Sequence, residues 1–286
     1  MNPGLWGLWT AFGWGGADFI ARFTGRALGY QIALFGMLSV GAVVLTLVVW
    51  LADIPLVWDP AGWWLVLATG VGVMVATLLL YAGLARGPVT IVAPIVGSYP
   101  AFNVMLALAL GVRPSLIQWG AMLVVMAGVL VVAVSAESFE GQEDYSRLYL
   151  RRSIYIALAS SFAFAVTIAA AQHATPIYGE LQTVWMARWI SLLAIAIVLA
   201  CIRKTPHLPM SWWPLLILQG LLDGGAYVAL LAGSHGEYAV ITAVVASSFS
   251  AVTVVLARII LREPMTWKQW GGIVLIIGGV AVLSAQ

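Results

Sequence analysis

Three ionisable side chains interrupt long apolar stretches of the chain, and each has an aromatic residue three or four positions away. The pairs are Trp14 with Asp18, Trp185 with Arg188, and Tyr227 with Asp223. Residues at this spacing share one face of a helix. A carboxylate beside an aromatic ring suits an ammonium group, by charge and by cation–π contact, whereas an arginine suits a carboxylate through a two-pronged hydrogen bond. The pairs therefore indicate a binding site for a small charged or zwitterionic solute.

Two structural explanations for the same charges remain open at this stage. An ionisable residue at the centre of a membrane segment costs about 2.5–3.5 kcal/mol on insertion scales, and is by default a functional candidate. Arg188 and Asp223 nevertheless suit a purely structural ion pair, and Asp18 suits a pair with Arg22 one helical turn further on. In both cases the neighbouring aromatic residues would only pack against other helices.

A break is predicted in the fourth apolar stretch, where Pro94 and Pro100 bracket Tyr99. Proline inside a helix removes a backbone hydrogen bond and bends the chain. The matching stretch about 150 residues later, 247–253, is rich in serine and threonine instead. Irregular segments in corresponding positions of two halves point to the binding site of a transporter, so Tyr99 joins the candidate site residues.

Composition identifies the medium in which these residues act. The chain has 286 residues, of which 63% are hydrophobic and only 8% are charged, against about 25% charged residues in an average soluble domain. The single cysteine, Cys201, excludes an intrachain disulfide and any metal site with several cysteines. The net charge of +2 is too small and too dispersed for a nucleic-acid interface. The sequence therefore predicts an all-α integral membrane protein.

Ten stretches are long and apolar enough to cross a bilayer as helices, which takes about 20 residues each. They cover residues 4–21, 30–51, 63–84, 88–110, 116–136, 153–172, 181–202, 212–233, 238–260 and 269–285. The polar stretch 137–152 separates the first five from the last five.

The two halves repeat each other at an offset of 150 or 151 positions. Trp63 recurs as Trp213, Gly128 recurs as Gly279, and the run Gln-Trp-Gly at 118–120 recurs at 269–271. A unit with five crossings is inserted upside down the second time. We therefore predict ten transmembrane helices as two inverted five-helix repeats, residues 1–136 and 153–286, joined by a polar linker at 137–152. Inverted repeats are typical of secondary transporters.

Charge placement predicts the orientation in the membrane. Eleven of the thirteen Lys and Arg residues fall in or beside the loops after helices 1, 3, 5, 7 and 9, and the remaining loops hold only Arg113. Cytoplasmic loops collect Lys and Arg, so we expect these five loops in the cytoplasm, both termini outside, and a multi-pass protein of the inner, or plasma, membrane.

The stretch 261–280 resembles a family signature: Glu263 in a short turn, followed by a last helix punctuated by glycines. On this stretch, and on the repeat as a whole, the chain is similar to EamA-like ten-helix transporters of the drug/metabolite transporter superfamily. The first half carries a degraded copy at 112–131, without the glutamate. The resemblance implies transport of a metabolite, and family members carry amino acids, sugars, amines and nucleotide sugars. Many members have cytoplasmic termini, opposite to the orientation that the charges indicate here.

The function predicted from these observations is secondary transport, as an exporter or facilitator, of a small polar or amphipathic metabolite such as an amino acid or amine. We expect a central cavity lined by helices 1, 3, 4, 6, 8 and 9. The candidate substrate-binding residues are Trp14, Asp18, Tyr99, Trp185, Arg188, Asp223 and Tyr227. No nucleotide-binding loop or metal-ligand spacing is found, so no cofactor, metal or enzymatic activity is expected, and the partners are the solute and the lipid bilayer. The alternative is a membrane-embedded enzyme or lipid-handling protein.

Overall fold

A computed structural model describes residues 3–109, 115–134, 146–233, 242 and 245–285. Within these ranges the chain is helical and contains no β-strand. The helices are α1 Pro3–Leu28, α2 Tyr30–Leu51, α3 Trp63–Arg86, α4 Val89–Gly97, α5 Tyr99–Ala109, α6 Leu116–Val134, α7 Arg147–Tyr178, α8 Glu180–Cys201, α9 Trp213–Gly233, α10 Phe249–Leu256 and α11 Trp267–Ser284. Turns of 3₁₀ helix, Pro60–Gly62 and Met210–Trp212, precede α3 and α9, and a π-helical turn, Ala257–Leu261, extends α10.

Eight helical segments of the described chain have the length and apolar composition of a membrane span. They are Tyr30–Leu51, Pro60–Arg86, Val89–Leu106, Leu116–Val134, Arg147–Tyr178, Glu180–Cys201, Met210–Gly233 and Trp267–Ser284. The protein is therefore an integral membrane protein. Helix α1 is long enough, with 26 residues, but its glycines, Asp18 and arginines make it less apolar. The number of ten spans stays a prediction.

Several of the predicted bounds differ from the structure, among them the end of the first helix, which lies at Leu28 and not at residue 21. The predicted single helix 88–110 is divided at Ser98 into α4 and α5. Helix α7 begins at Arg147 and not at residue 153, because Ser146 caps its first turn by accepting a hydrogen bond from Tyr149 N. The last part of the predicted linker is therefore helical, and residues 137–145 lie outside the described ranges. In the predicted ninth span, 238–260, residues 238–241, 243 and 244 also lie outside them.

Helix ends meet at two opposite faces of the bundle that differ in charge. Arg22 at the end of α1 donates to Leu84 O (2.9 Å) and Ala85 O (2.7 Å) at the end of α3. Lys204, just after α8, donates to Gln31 Oε1 at the start of α2 (3.4 Å). We call this face the basic end; it carries Arg22, Arg26, Arg86, Arg147, Arg151, Arg152, Arg203, Lys204, Arg258, Arg262 and Lys268. We call the opposite face the acidic end; it carries Asp53, Asp59 and Glu180. All eleven predicted loop cations thus share one face.

The main apolar core fills the half of the bundle nearest the basic end. Most of its members come from the parts of the helices that lie on that side, including Leu34 and Leu38 of α2, Leu84 of α3, and Ile91 and Ile95 of α4. Near the acidic end a small second cluster contains Val66, Ala174 and Tyr178. This uneven distribution leaves room for a cavity between the middle of the bundle and the acidic end.

Close helix contacts occur in reciprocal pairs across the two halves. A Cβ at Gly70 of α3 would lie 2.5 Å from Ile190 Cβ of α8, and a Cβ at Gly220 of α9 would lie 2.5 Å from Val40 Cβ of α2. Adding 150 to Gly70 gives Gly220, and subtracting 150 from Ile190 gives Val40. Glycine at both contacts lets the two backbones approach closely. Reciprocity of this kind, where i contacts j and j contacts i, is typical of a two-fold relation.

Candidate functional site

A cavity of about 170 Å³ lies between the core and the acidic end. Helices α1, α3, α4, α5, α7, α8, α9 and α10 all contribute to its wall. The predicted lining spans 1, 3, 4, 6, 8 and 9 correspond to α1, α3, α4 with α5, α7, α9 and α10, and all of them take part. Helix α8, which is the seventh predicted span, lines the cavity in addition. Six of the seven candidate site residues line it: Trp14, Asp18, Tyr99, Arg188, Asp223 and Tyr227. The cavity is smaller than the roughly 300–1,000 Å³ of pockets for drug-sized ligands.

Arg188 and Asp223 form an ion pair on this wall. Arg188 Nη2 lies 2.7 Å from Asp223 Oδ2, and the two side chains are 3% and 15% exposed. The pair is close, but Asp223 Oδ2 lacks a well-aligned hydrogen bond. Arg188 Cζ also stands 5.2 Å from the Tyr227 ring centre, within cation–π distance. Gly41 of α2 lies beside the guanidinium, where a Cβ would stand 3.6 Å from Arg188 Cζ, an ordinary van der Waals contact.

Asp18 lines the same cavity from α1 and is 9% exposed. Arg22, one turn further on, directs Nη1 toward the carbonyls that end α3, at the basic end. The wall therefore carries two carboxylates, Asp18 and Asp223, and one guanidinium. With both carboxylates ionised, one negative charge is left for a cationic ligand.

Six of the nineteen residues that line the cavity are aromatic. The Trp14 ring stands 5.0 Å from that of Tyr227 and 5.9 Å from that of Phe249, both edge to face. The Tyr99 ring lies 6.3 Å from that of Phe164. Phe164 and Phe249 were not among the residues predicted from the sequence, although the repeat offset points to both: they lie 150 residues after Trp14 and Tyr99.

Two broken helices bring Tyr99 and Phe249 to the cavity. At Ser98 and Ser248 the hydroxyl donates to the carbonyl three residues back, Ile95 O and Val245 O, at 2.6 Å in each case. Both serines have nearly the same backbone conformation, φ −80°, ψ 3° and φ −77°, ψ 4°. Serine side chains compete with helical hydrogen bonds in this way. The irregularity predicted for these two stretches is therefore centred on the serines, and each is followed directly by a cavity aromatic.

Trp185 is the candidate that the structure places elsewhere. Its indole Nε1 donates to Thr46 Oγ1 of α2 at 3.0 Å, and Trp189 Nε1 does the same. On α8 the cavity is lined by Thr183, Val184 and Arg188, and Trp185 is not among the lining residues. Trp185 and Arg188 do share the side of α8 that contacts α2, since Arg188 Nη1 lies 3.7 Å from Met37 Sδ, but only Arg188 also reaches the cavity.

A buried polar network closes the cavity toward the basic end. Gln219 Nε2 of α9 donates to Tyr81 OH of α3 (2.6 Å), and Thr24 Oγ1 of α1 donates to Gln219 Oε1 (3.0 Å). All three residues are at most 1% exposed. A satisfied buried network of this kind fixes helices firmly against one another. This network was not predicted from the sequence, because single polar residues in apolar runs give no sign that they are neighbours.

Glu263, which lies at the basic end, joins the two halves of the chain through hydrogen bonds. Its carboxylate accepts from Val89 N (3.0 Å), Thr90 N (2.9 Å) and Thr90 Oγ1 (2.8 Å), at the start of α4. Its side chain is 7% exposed. A carboxylate is favoured at a helix N-terminus by free N–H groups and by the helix dipole. The glutamate of the sequence signature is therefore a capping residue, and it caps a helix of the other half.

A family model, the EamA-like transporter family, matches residues 2–134 and 151–285. The chain belongs to the EamA-like transporter family. The resemblance noted from the sequence is thereby confirmed, and the family is one of membrane transporters. No curated protein matches this EamA-like chain.

Seventeen chains of known structure resemble this EamA-like protein. One is a crystal structure described only as that of a protein, with no function given. It shares 15% identity over 98% of this chain and 95% of its own, with a TM-score of 0.66. At that identity the likeness shows the fold alone.

Proposed function

We propose that this EamA-like protein is a secondary transporter, an exporter or facilitator, for a small metabolite with an ammonium group, such as an amino acid or amine. The solute binds in the cavity that Asp18, Arg188 and Asp223 line. Its ammonium group lies between the carboxylates, among the aromatic rings. The carboxylate of an amino acid displaces Asp223 from its ion pair with Arg188. An amine has no carboxylate and binds only to Asp18 and Asp223.

The observation that carries this proposal is a comparison of the two halves at the repeat offset. Most of the aromatic residues that line the cavity have aromatic counterparts, whereas the charged residues that line it do not have charged counterparts. Four of the six lining aromatic residues recur as aromatics: Trp14 corresponds to Phe164, and Tyr99 to Phe249. The other two, Tyr81 and Tyr227, correspond to Leu231 and Thr77. The charged residues have apolar counterparts: Asp18 corresponds to Ile168, Asp223 to Val73, and Arg188 to Leu38.

Leu38 is fully buried in the core, so the fold accommodates an apolar residue at the position equivalent to Arg188. The architecture therefore requires none of the three charges. They impose a cost of about 2.5–3.5 kcal/mol each at mid-bilayer, which a solute-binding role explains.

The inverted repeat supplies the mechanism of transport. The proposed units are residues 1–136 and 153–286, five helices each, related by a two-fold axis in the membrane plane. The paired glycine contacts, and the equal 22-residue helices α2 and α8 that stand 150 positions apart, support this relation. Two inverted halves can exchange conformations, which opens a central site to each side in turn. The cavity here is closed toward the basic end by core packing and by the network of Tyr81, Gln219 and Thr24.

The experiment is a thermal-shift assay on purified protein with matched ligand triples. Each triple contains an amino acid, its amine without the carboxylate, and its acid without the ammonium group; leucine, 3-methylbutylamine and 4-methylpentanoate are one such set. A ligand bound to the folded state raises stability by mass action. We expect stabilisation by members that carry the ammonium group, and none by the acids.

The variants separate the two ends of the solute. Asp223→Asn should abolish stabilisation by the amino acid and by the amine alike. Arg188→Gln should reduce the stabilisation by the amino acid more than the stabilisation by the amine. Stabilisation by the acid equal to that by the amine, or stabilisation unchanged in Asp223→Asn, would contradict the proposal.

A further inference from the structure

A second cavity, of about 430 Å³, lies at the basic end between α2 and the end of α8. We call it the basic groove, and it is lined by Phe35, Ala196, Leu199, Ala200, Arg203, Lys204, Thr205 and Pro206. Its floor is apolar and its mouth carries two cations. It lies far from the solute cavity, which is lined by the first turns of α8 and not by the last.

The apolar side of the groove continues along the bilayer-facing surface of α8. Leu193 and Ile197 are 62% and 54% exposed, and Ala200 is also exposed. Residues at this spacing of four and then three positions form one stripe on a helix. In a membrane protein such an exposed stripe faces lipid chains. The stripe ends at Ala200, next to Arg203 and Lys204, which lie where lipid headgroups begin.

The backbone at the mouth is held in a conformation that arginine rarely adopts. Helix α8 ends in a Schellman motif: Arg203 N donates to Ala200 O and Lys204 N donates to Leu199 O, at 3.0 and 2.9 Å. Arg203 therefore takes the left-handed position, φ 54°, which is usually glycine. An arginine at this position has a backbone cost that glycine would not have.

The equivalent place in the other half shows that the fold does not create this groove by default. At the repeat offset Phe35 corresponds to Trp185, Ala200 to Trp50, and Arg203 to Asp53. Asp53 has the same left-handed backbone, φ 46°. There Trp185 donates to Thr46, so bulky rings and an acidic residue stand where the basic end has alanine and arginine.

We propose that the basic groove binds an anionic phospholipid. Its headgroup phosphate lies on Arg203 and Lys204, and one acyl chain lies on Ala196, Ala200 and the stripe of α8. Basic pockets between transmembrane helices suit anionic headgroups, and the apolar floor favours a lipid over a free phosphate. Lys204 donates to Gln31 and retains further donors for a phosphate.

The test is native mass spectrometry of detergent-purified protein titrated with phosphatidylglycerol, with phosphatidylcholine and soluble glycerol phosphate as the other arms. We expect one tightly held phosphatidylglycerol. Glycerol phosphate binding as tightly as the lipid would overturn the acyl-chain contact, and equal retention of phosphatidylcholine would overturn the charge recognition.

Arg203→Gly is the decisive variant, because glycine relieves the backbone while it removes the charge. It should unfold at the same temperature as the wild type or higher, and bind phosphatidylglycerol about tenfold more weakly, as expected for one lost charge-assisted hydrogen bond. Ala200→Trp, which copies Trp50, should block the acyl chain and lower binding without removing charge.

Arg262→Gly is the matched control. Arg262 is exposed, belongs to the basic end, and has the same left-handed backbone, φ 55°, but does not line the groove. This variant should retain the lipid. Equal losses in Arg262→Gly and Arg203→Gly would mean that the lipid is held only by the general charge of this face, and the proposal would be wrong.

Discussion

At the scale of single residues, the three charged residues of the cavity are the part of the site that the fold itself does not require. Asp18, Arg188 and Asp223 stood out in the sequence because ionisable residues are rare in apolar runs, and all three reach one cavity. The structure also joins Arg188 and Asp223 directly. The ion pair considered from the sequence thus exists, and it lies where a solute with the same two charges would compete for it.

The aromatic wall gives a prediction about Trp14. Trp14→Ala removes two edge-to-face contacts, with Tyr227 and Phe249, each worth about 0.5–1.5 kcal/mol. We expect solute affinity, measured by calorimetry, to fall about tenfold. Phe23→Ala is the control, because Phe23 packs edge to face on Phe19 at 5.2 Å away from the cavity, and it should bind normally. Unchanged affinity in Trp14→Ala would remove the aromatic wall from the site.

The least predictable feature was which side of a helix faces the cavity. Residues three apart, such as Trp185 and Arg188, lie near each other on a helix that turns about 100° per residue, but a cavity occupies only part of the helix circumference. Contacts between distant residues, such as Gln219 with Tyr81 and Thr24, leave no periodic signal at all. Residue type thus identified the charged residues, whereas the partners of neutral polar residues had to come from packing.

At the scale of helices, interruptions position the site. The sequence predicted a break near Pro94 and Pro100, and a polar counterpart 150 residues later. The structure places both breaks at equivalent serines, Ser98 and Ser248. The starts of α2 and α8, directly after the positive-φ residues Gly29 and Gly179, were predicted to within one residue, whereas α1 ends seven residues and α7 six residues later than predicted. The start of α7 was poorly predicted, because a capping hydrogen bond extends that helix beyond its apolar part.

Glu263 gives the prediction at this scale. Glu263→Ala leaves Val89 N and Thr90 N at the buried start of α4 without their acceptor, at a cost of about 1–3 kcal/mol. We expect the midpoint of thermal unfolding to fall by about 5 °C, and by less in Glu263→Gln, which keeps one acceptor oxygen.

The control for this measurement is Glu180→Ala at the acidic end. Glu180 Oε2 has no hydrogen-bond partner in the described chain, so its loss should change the midpoint little. Equal destabilisation by the two alanine variants would show that capping of α4 is not what Glu263 contributes.

At the scale of the whole molecule, charge and packing divide the bundle in the same direction. Eleven cations lie at the basic end together with most of the buried apolar core, and the solute cavity extends toward the acidic end. The charge pattern along the sequence was sufficient to predict that the cations share a face. Which face the cavity extends toward depends on packing between distant helices, and that could not be predicted.

The charge bias predicts that the basic end is cytoplasmic. In a Cys201→Ser background, Lys268→Cys places a thiol at the basic end, and a cysteine at residue 2 marks the N-terminus. An impermeant maleimide should label residue 2 in intact cells and residue 268 only after permeabilisation. The reverse pattern would give this protein the cytoplasmic termini common in its family.

The central claim is that Arg188 and Asp223 bind solute and do not merely neutralise each other. The most direct measurement is flux of the solute found by thermal shift into proteoliposomes, for Asp223→Asn, Arg188→Gln and the double variant. A structural pair can often be replaced by neutral residues without loss, whereas removal of one partner leaves a costly buried charge. We predict that the double variant folds and inserts like the wild type, yet transports nothing. Full transport by the double variant would contradict the account and remove both residues from the site.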